Sequence, residues 1–247
     1  MSTVVTHPTN GAVAADDPVA WRSQTRVFLQ PIAAPSILGL FGFAGATFMV
    51  AANMAGWFGT AASGQYIFPF AAVFGGLAQF LAGMWAYRAR DAIATAMHGM
   101  WGSFWIAYGI LWTLVAARVL TLPATGAFSP LGYWFLVLAT ITACGAIAAV
   151  FENLALFSTL GVLAAGSALT AVHYLTGIHG WQTAAGWVLL VAAWIATYTA
   201  FAMMLESASG RVILPLGKVS RARNLPGRPD HIPLEFALGE PGVRHGQ

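Results

Sequence analysis

The chain has 247 residues, of which 58% are hydrophobic and only 8% are charged, and its formal net charge is +3. Soluble domains carry about 25% charged residues, so this composition excludes an ordinary soluble protein and indicates an all-α integral membrane protein. The small basic excess does not indicate nucleic-acid binding, because the basic residues lie where a membrane protein places its cytoplasmic charge.

The N-terminal region, residues 1–32, is expected to be a cytoplasmic tail. Asp17 and Pro18 are typical of a helix start. The residues from there to Leu29 either form a short amphipathic helix in the membrane interface or remain an unstructured leader. Residues 33–209 are predicted to form a transmembrane domain, and residues 210–247 a basic cytoplasmic tail.

Six apolar segments make up the predicted transmembrane domain, each close to the roughly 20 residues that a helix needs to cross the hydrocarbon. Backbone polar groups cannot be left unpaired in lipid, so apolar segments of this length must be helices. Pro69 is expected in the first turn of the second helix, where it costs little. The predicted spans are Ile37–Phe58, Tyr66–Tyr87, Thr95–Ala117, Leu131–Val150, Leu154–Thr176 and Trp181–Leu205.

The basic residues are distributed unequally between the two ends of these segments. Of the eleven Lys and Arg residues, all except Arg118 fall on the side of the two termini. The positive-inside rule then places both termini in the cytoplasm, which is only consistent with an even number of spans.

The predicted spans contain no Asp, Glu, Lys or Arg in their interiors. Proton pumps and ion-coupled carriers usually keep such residues at mid-membrane, so a buried carboxylate relay is not expected. His98 and His173 are the only histidines within the spans, and each lies near a segment end. We therefore expect no metal site and no cofactor. Because no nucleophile–base pair is evident, the protein is not expected to be an enzyme.

Hydroxyl, amide and aromatic side chains are the polar groups that remain inside the spans. Most hydroxyls in membrane helices bond their own helix or a neighbour. The others are candidates to line a path for a small neutral or monoanionic solute, gated by apolar side chains. The candidates are Thr47, Gln79, Ser103 and Tyr198.

Glycines recur every third residue in the first span, at Gly39, Gly42 and Gly45. Such a stripe is either a groove in which another helix packs or one wall of a pore, in which case Phe43 is the plug.

Several stretches resemble, in order, the acetate uptake transporters, the succinate–acetate permease (YaaH-like) family. Residues 34–43, APSILGLFGF, are similar to the family's Asn-Pro-Ala-Pro-Leu-Gly-Leu signature and its Gly-Phe pair, with Ala34 for the asparagine and Ile37 for the second proline. Residues 75–83 (GGLAQFLAG), 101–105 (WGSFW) and 210–217 (GRVILPLG) are also similar to family motifs.

The resemblance implies a six-helix protomer with its own pore, assembled as a homo-hexamer. It also implies a narrow hydrophobic constriction formed by Phe43, Trp101 and Leu163, where Trp101 replaces the family's tyrosine. Ala196 corresponds to a small residue of the sixth helix near the pore.

We therefore interpret the chain as a multi-pass transporter or channel of the plasma membrane, the inner membrane of a bacterium. The expected partners are acetate, related short mono- or dicarboxylates such as succinate, protons and the lipid bilayer. The solute is expected to enter as the neutral acid or with a co-moving proton, held by hydroxyl and amide donors rather than by fixed charge. A six-helix urea or short-amide channel and a non-transporting membrane scaffold are the alternatives.

Overall fold

The computed structural model of the protein describes residues 32–60, 63–121, 123 and 126–219. Six helices in this part of the chain are long and apolar enough to cross a membrane, which confirms the predicted all-α membrane fold. The proposed interfacial helix before residue 30 and most of the C-terminal tail lie outside the described residues. The helices are α1 (Pro35–Met54), α2 (Ser63–Ala89), α3 (Ala92–Ala116), α4 (Ser129–Ala149), α5 (Leu154–Thr176) and α6 (His179–Ser209).

The helix boundaries follow local backbone chemistry. α5 has its predicted bounds: the Asn153 side chain accepts a hydrogen bond from Leu156 N at its start, and Gly177, with φ of 70°, ends it. α1 ends before the predicted Phe58, because the chain turns at Gly56, where φ is 79°. α6 extends at both ends beyond the predicted Trp181–Leu205 and stops at Gly210, with φ of 69°.

The second helix departs most from its prediction. It begins at Ser63, so Pro69 lies in its interior and not in the predicted first turn. Ala71–Ala78, which follows directly, is a π-helix. Proline has no N–H to donate and crowds the preceding turn. Single π-helical turns inside α-helices are frequent at functional sites.

The helices pack mainly as α1 on α6, α4 on α5, α5 on α6 and α2 on α3, with the π-helical part of α2 against α1 and α3. The glycine stripe of α1 lies in this packing. A Cβ on Gly39 would come within 2.6 Å of the His98 ring, and one on Gly42 within 2.5 Å of the Phe74 carbonyl oxygen. The stripe is therefore a packing surface, as in the first of the two interpretations, while Phe43 beside it lines a cavity.

Candidate solute pathway

A wide cavity opens at one end of the bundle, with a volume of about 90 Å³. A water molecule needs roughly 10–15 Å³ measured in this way, so the cavity holds several. Its walls come from the first halves of α1, α3 and α5, the second half of α6, Gln79 of α2, and the chain segments that join the helices at that end. Among its lining residues are Leu40, Phe43, Gln79, Asp91, His98, Trp101, Glu152, Thr159, Leu163, Thr199, Glu206, Leu216 and Lys218.

A narrow cavity of about 30 Å³ lies toward the other end of the bundle. Its lining comes from the second halves of α1, α3 and α5 and the first half of α6, together with Phe135 of α4. Tyr108 and Tyr174 face each other there, with their hydroxyl oxygens 2.8 Å apart.

Three apolar side chains lie where the two cavities meet, and we call Phe43, Trp101 and Leu163 the barrier. Trp101 and Leu163 line both cavities, and Phe43 lines the wide one. The Phe43 and Trp101 ring centroids lie 6.4 Å apart. All three side chains are buried, with 3%, 3% and 2% of their surface exposed. The structure thus brings together the three residues that the resemblance singled out.

The other sequence candidates are distributed unevenly around this pathway. Thr47 lines the narrow cavity and Gln79 the wide one. Ala196 is fully buried in the helix core and is not part of either lining. Ser103 is exposed and donates to Gly99 O of its own helix. Tyr198 is also exposed, and its hydroxyl donates to Pro215 O.

Most membrane hydroxyls bond their own helix, as expected from sequence. Thr159, Thr170 and Thr199, although they line the cavities, each donate to the carbonyl four residues earlier. Four cavity-lining groups are buried without a hydrogen-bond partner among the described residues. They are Thr47 Oγ1, Ser167 Oγ and Trp105 Nε1 in the narrow cavity and Gln79 Oε1 in the wide one.

Charged side chains from outside the predicted spans also line the wide cavity. Burial raises the pKa of Asp91, and it raises the pKa of Glu152 to about 7, with a smaller contribution from the Asp91 charge. Glu206 pairs with Lys218, whose Nζ lies 2.6 Å from Glu206 Oε1. All four of these side chains lie outside the predicted spans, so the interiors of the spans remain without Asp, Glu, Lys or Arg.

Residues 211–219, which we call the C-terminal strap, close part of the wide cavity. The strap pairs with the start of α5: Leu154 N donates to Gly217 O and Ala155 N to Leu216 O. Leu216 is only 5% exposed and lines the cavity. Leu216 and Lys218 of the predicted tail are thus part of the cavity wall, while most of the strap is exposed.

The sequence predicts no metal or cofactor role for His98, because it lies near a helix end. In the structure it is buried and lines the wide cavity beside Gln79. Its Nδ1 is 3.5 Å from Gln79 Nε2. In the described part of the chain, no group of three or more His, Cys, Asp and Glu side chains is placed to hold a metal ion.

Comparison with known proteins gives a match to one family and to a solved structure of similar fold. The GPR1/FUN34/yaaH family matches residues 22–220. The succinate-acetate/proton symporter SatP of Escherichia coli K12 is 27% identical over 201 residues, which cover 76% of this chain and 96% of that protein, and the SatP proteins of E. coli O157:H7 and Shigella flexneri match equally. The structure of the bacterial acetate channel SatP superimposes with a TM-score of 0.69 at 24% identity, covering 75% of this chain and 99% of that one.

Proposed function

The chain belongs to the GPR1/FUN34/yaaH family, and on that premise we propose that it is a membrane transporter or channel for acetate and related short-chain carboxylates such as succinate, linked to protons. The family resemblance drawn from the sequence is confirmed by this match. The proposed solutes are those named for its SatP relatives.

One observation carries the proposal: two cavities meet at a barrier of three apolar side chains, Phe43, Trp101 and Leu163. A pathway blocked only by apolar groups excludes water and ions by dewetting and size. A small solute with an apolar methyl group crosses it more readily than an ion does. We infer that Phe43, Trp101 and Leu163 form the constriction, with Thr47 and Gln79 as polar groups on its two sides.

The distribution of charge indicates how protons are linked to transport. The charged residues of the pathway lie at the outer part of the wide cavity, in helix connections, at the end of α6 and in the strap. The barrier itself carries no ionisable group that could relay a proton. We infer that the proton crosses the barrier with the solute, as the neutral acid, and that the path performs transport rather than catalysis.

The proposal includes the placement and assembly of the chain. Both termini are cytoplasmic, the membrane is the plasma membrane, and the protein is a homo-hexamer in which each protomer has its own pore. The N-terminal tail (residues 1–32) and the C-terminal tail (residues 210–247) flank the transmembrane domain (residues 33–209).

Flux of radiolabelled acetate into proteoliposomes tests this function. We expect uptake above that of protein-free vesicles, inhibition by propionate, and no inhibition by urea. A urea or short-amide channel would give the reverse competition, and a membrane scaffold would give no flux. At a fixed concentration of undissociated acetic acid, uptake is expected to be nearly independent of an imposed pH gradient, and a steep dependence would contradict entry as the neutral acid.

A further inference from the structure

The C-terminal strap, residues 211–219, is held at the mouth of the wide cavity by few side chains. Leu216 is its one buried residue and lines the cavity, whereas most of the others are exposed. Segments with little buried apolar surface open locally at a low cost in free energy. The strap begins after Gly210, where φ is 69° and an added Cβ would meet nothing within 4 Å. The chain therefore has room to turn where the strap leaves α6.

Backbone hydrogen bonds attach the strap to the start of α5. Leu154 N donates to Gly217 O over 3.0 Å, and Ala155 N donates to Leu216 O over 3.1 Å. These two N–H groups belong to the first turn of α5 and have no acceptor within that helix. Leu154 is exposed, so water can take the place of the strap as acceptor. The strap can therefore detach without leaving these groups buried and unpaired.

An ion pair joins the far end of the strap to α6. Lys218 Nζ lies 2.6 and 2.7 Å from the two carboxylate oxygens of Glu206, and both side chains line the cavity. The pair is partly exposed, with 36% of the Lys218 side chain and 25% of the Glu206 side chain accessible. Ion pairs in such positions shift an equilibrium by about fivefold or less. The pair therefore favours the attached strap without making the attachment permanent.

We propose that the C-terminal strap is a gate at the mouth of the wide cavity, that the Glu206–Lys218 ion pair holds it shut, and that its opening sets how fast solute exchanges at that end. This proposal rests on the proposed function. The gate acts in series with the barrier: the strap controls the rate of exchange, and the barrier controls which acids pass.

The first test is acetate flux through the full chain in proteoliposomes, with Lys218→Gln and Glu206→Gln. Each variant removes one partner of the ion pair. Both are expected to raise flux about two- to fivefold, the range of a partly exposed ion pair, with the ratio of acetate to butyrate flux unchanged. A direct electrostatic effect on an anionic solute would have opposite signs in the two variants, because one removes a positive charge and the other a negative charge.

Two further variants are controls for the ion pair. Glu206→Lys/Lys218→Glu restores the pair with its charges exchanged and should return flux close to the wild-type value. Arg88→Gln removes a positive charge from the same end of the bundle, at an exposed side chain that is not part of the cavity lining. It should leave flux unchanged.

The second test locks the gate with a disulfide bond. Asn153 and Lys218 form an isolated antiparallel bridge, and the backbone bonds of Leu154 and Val219 on either side make it a pair without hydrogen bonds of its own. The Cα atoms of such a pair lie about 4.5 Å apart, which a disulfide can span. Asn153→Cys/Lys218→Cys, in a Cys144→Ser background, is expected to carry less acetate flux than the wild type when oxidised and more after reduction with dithiothreitol. The Cys144→Ser background alone should not respond to the reductant.

The outcomes separate the gate from the proposed function. No acetate flux through the wild type or through the reduced cysteine pair overturns the proposed function. Wild-type flux with no increase in the two charge variants and no response of the cysteine pair to reduction overturns the gate and leaves the function in place. Opposite changes in Lys218→Gln and Glu206→Gln also overturn it. Melting temperatures show whether each variant is folded, and if a charge variant does not fold, the cysteine pair compared with itself before and after reduction decides.

Discussion

The indole N–H of Trp101 donates a hydrogen bond to Thr142 Oγ1 of α4 over 3.0 Å, and both side chains are buried. Thr142 lies on α4, which contributes none of the three barrier side chains. The bond therefore fixes Trp101 from a helix outside the barrier. An indole ring held in this way has one orientation with respect to Phe43. Trp101, the largest of the three barrier side chains, is thus held in place by its hydrogen bond to Thr142.

Thr142→Val should allow the Trp101 indole ring to move more freely. The substitution keeps the shape of the side chain, removes the acceptor and leaves a buried N–H unpaired, at a cost of about 0.5–2 kcal/mol in a membrane protein. We expect a lower melting temperature and a lower ratio of acetate to butyrate flux, because the freed ring admits larger acids. Thr140→Val is the matched control: Thr140 is on the same helix and donates to Leu136 O at the exposed surface. Equal selectivity in the two variants would show that the bond does not shape the barrier.

Phe43→Ala and Trp101→Tyr test the barrier itself. Removing the Phe43 ring is expected to raise acetate flux and to admit butyrate, because the apolar obstruction becomes shorter and wider. Trp101→Tyr shortens the ring and should raise flux less, with selectivity for small acids retained. Phe201→Ala, on the exposed face of α6, is the control for loss of a phenylalanine. If fluxes and selectivities in both barrier variants equal the wild-type values, these side chains are not the constriction.

Apolar length and charge distribution were sufficient to predict the fold, because six uncharged segments in lipid must be helices. The contact between Phe43 and Trp101 was expected from the family motifs. The interior position of Pro69 was missed, because α2 begins with polar residues, Ser63 to Gln65, that hydropathy assigns to a loop.

The polar side chains that line the wide cavity could not be predicted from the sequence, for a different reason. Asp91 and Glu152 lie in separate connections, and only the packing of the helices brings them into one cavity. One signal was present in the sequence: alternating spans place both connections and the C-terminal strap at the same end of the bundle. The position of His98 against Gln79 depends on the close approach of α1 at Gly39, which no single-sequence pattern specifies.

Gly39→Ala tests that close approach. The added methyl group would overlap the His98 ring, and overpacking of this kind costs about 1–3 kcal/mol. We expect a lower melting temperature in this variant. Gly161→Ala on α5, where a Cβ meets nothing within 4 Å, should leave the melting temperature unchanged or raise it slightly, since alanine favours helix. A Gly39→Ala protein as stable as Gly161→Ala would show that His98 is not fixed from α1.

Glu152→Gln should change stability in a pH-dependent way. Burial raises the pKa of Glu152 from 4.5 to about 7, so the folded chain holds a proton that the unfolded chain releases between these values. Stability contributed by this group therefore falls as pH rises through that window. The variant lacks the titration, so its melting temperature should exceed that of the wild type above about pH 7 and match it near pH 4.5. Asp91, Glu206 and Lys218 line the same cavity and are present in both proteins, and the Asp91 charge contributes to the raised pKa of Glu152. A difference independent of pH would contradict the raised pKa.

Tyr198→Phe separates a role in the pathway from a role in the strap. The Tyr198 hydroxyl donates to Pro215 O over 2.7 Å, and the ring is exposed, so the structure connects it to the strap and not to a cavity lining. The variant loses one hydrogen bond, worth about 0.5–1.5 kcal/mol, and the strap should open more often. We expect faster proteolytic cleavage within residues 211–219 in the purified protein, with the selectivity among acids unchanged. A loss of acetate selectivity with the cleavage rate unaltered would instead return Tyr198 to the pore lining, where the sequence alone had placed it.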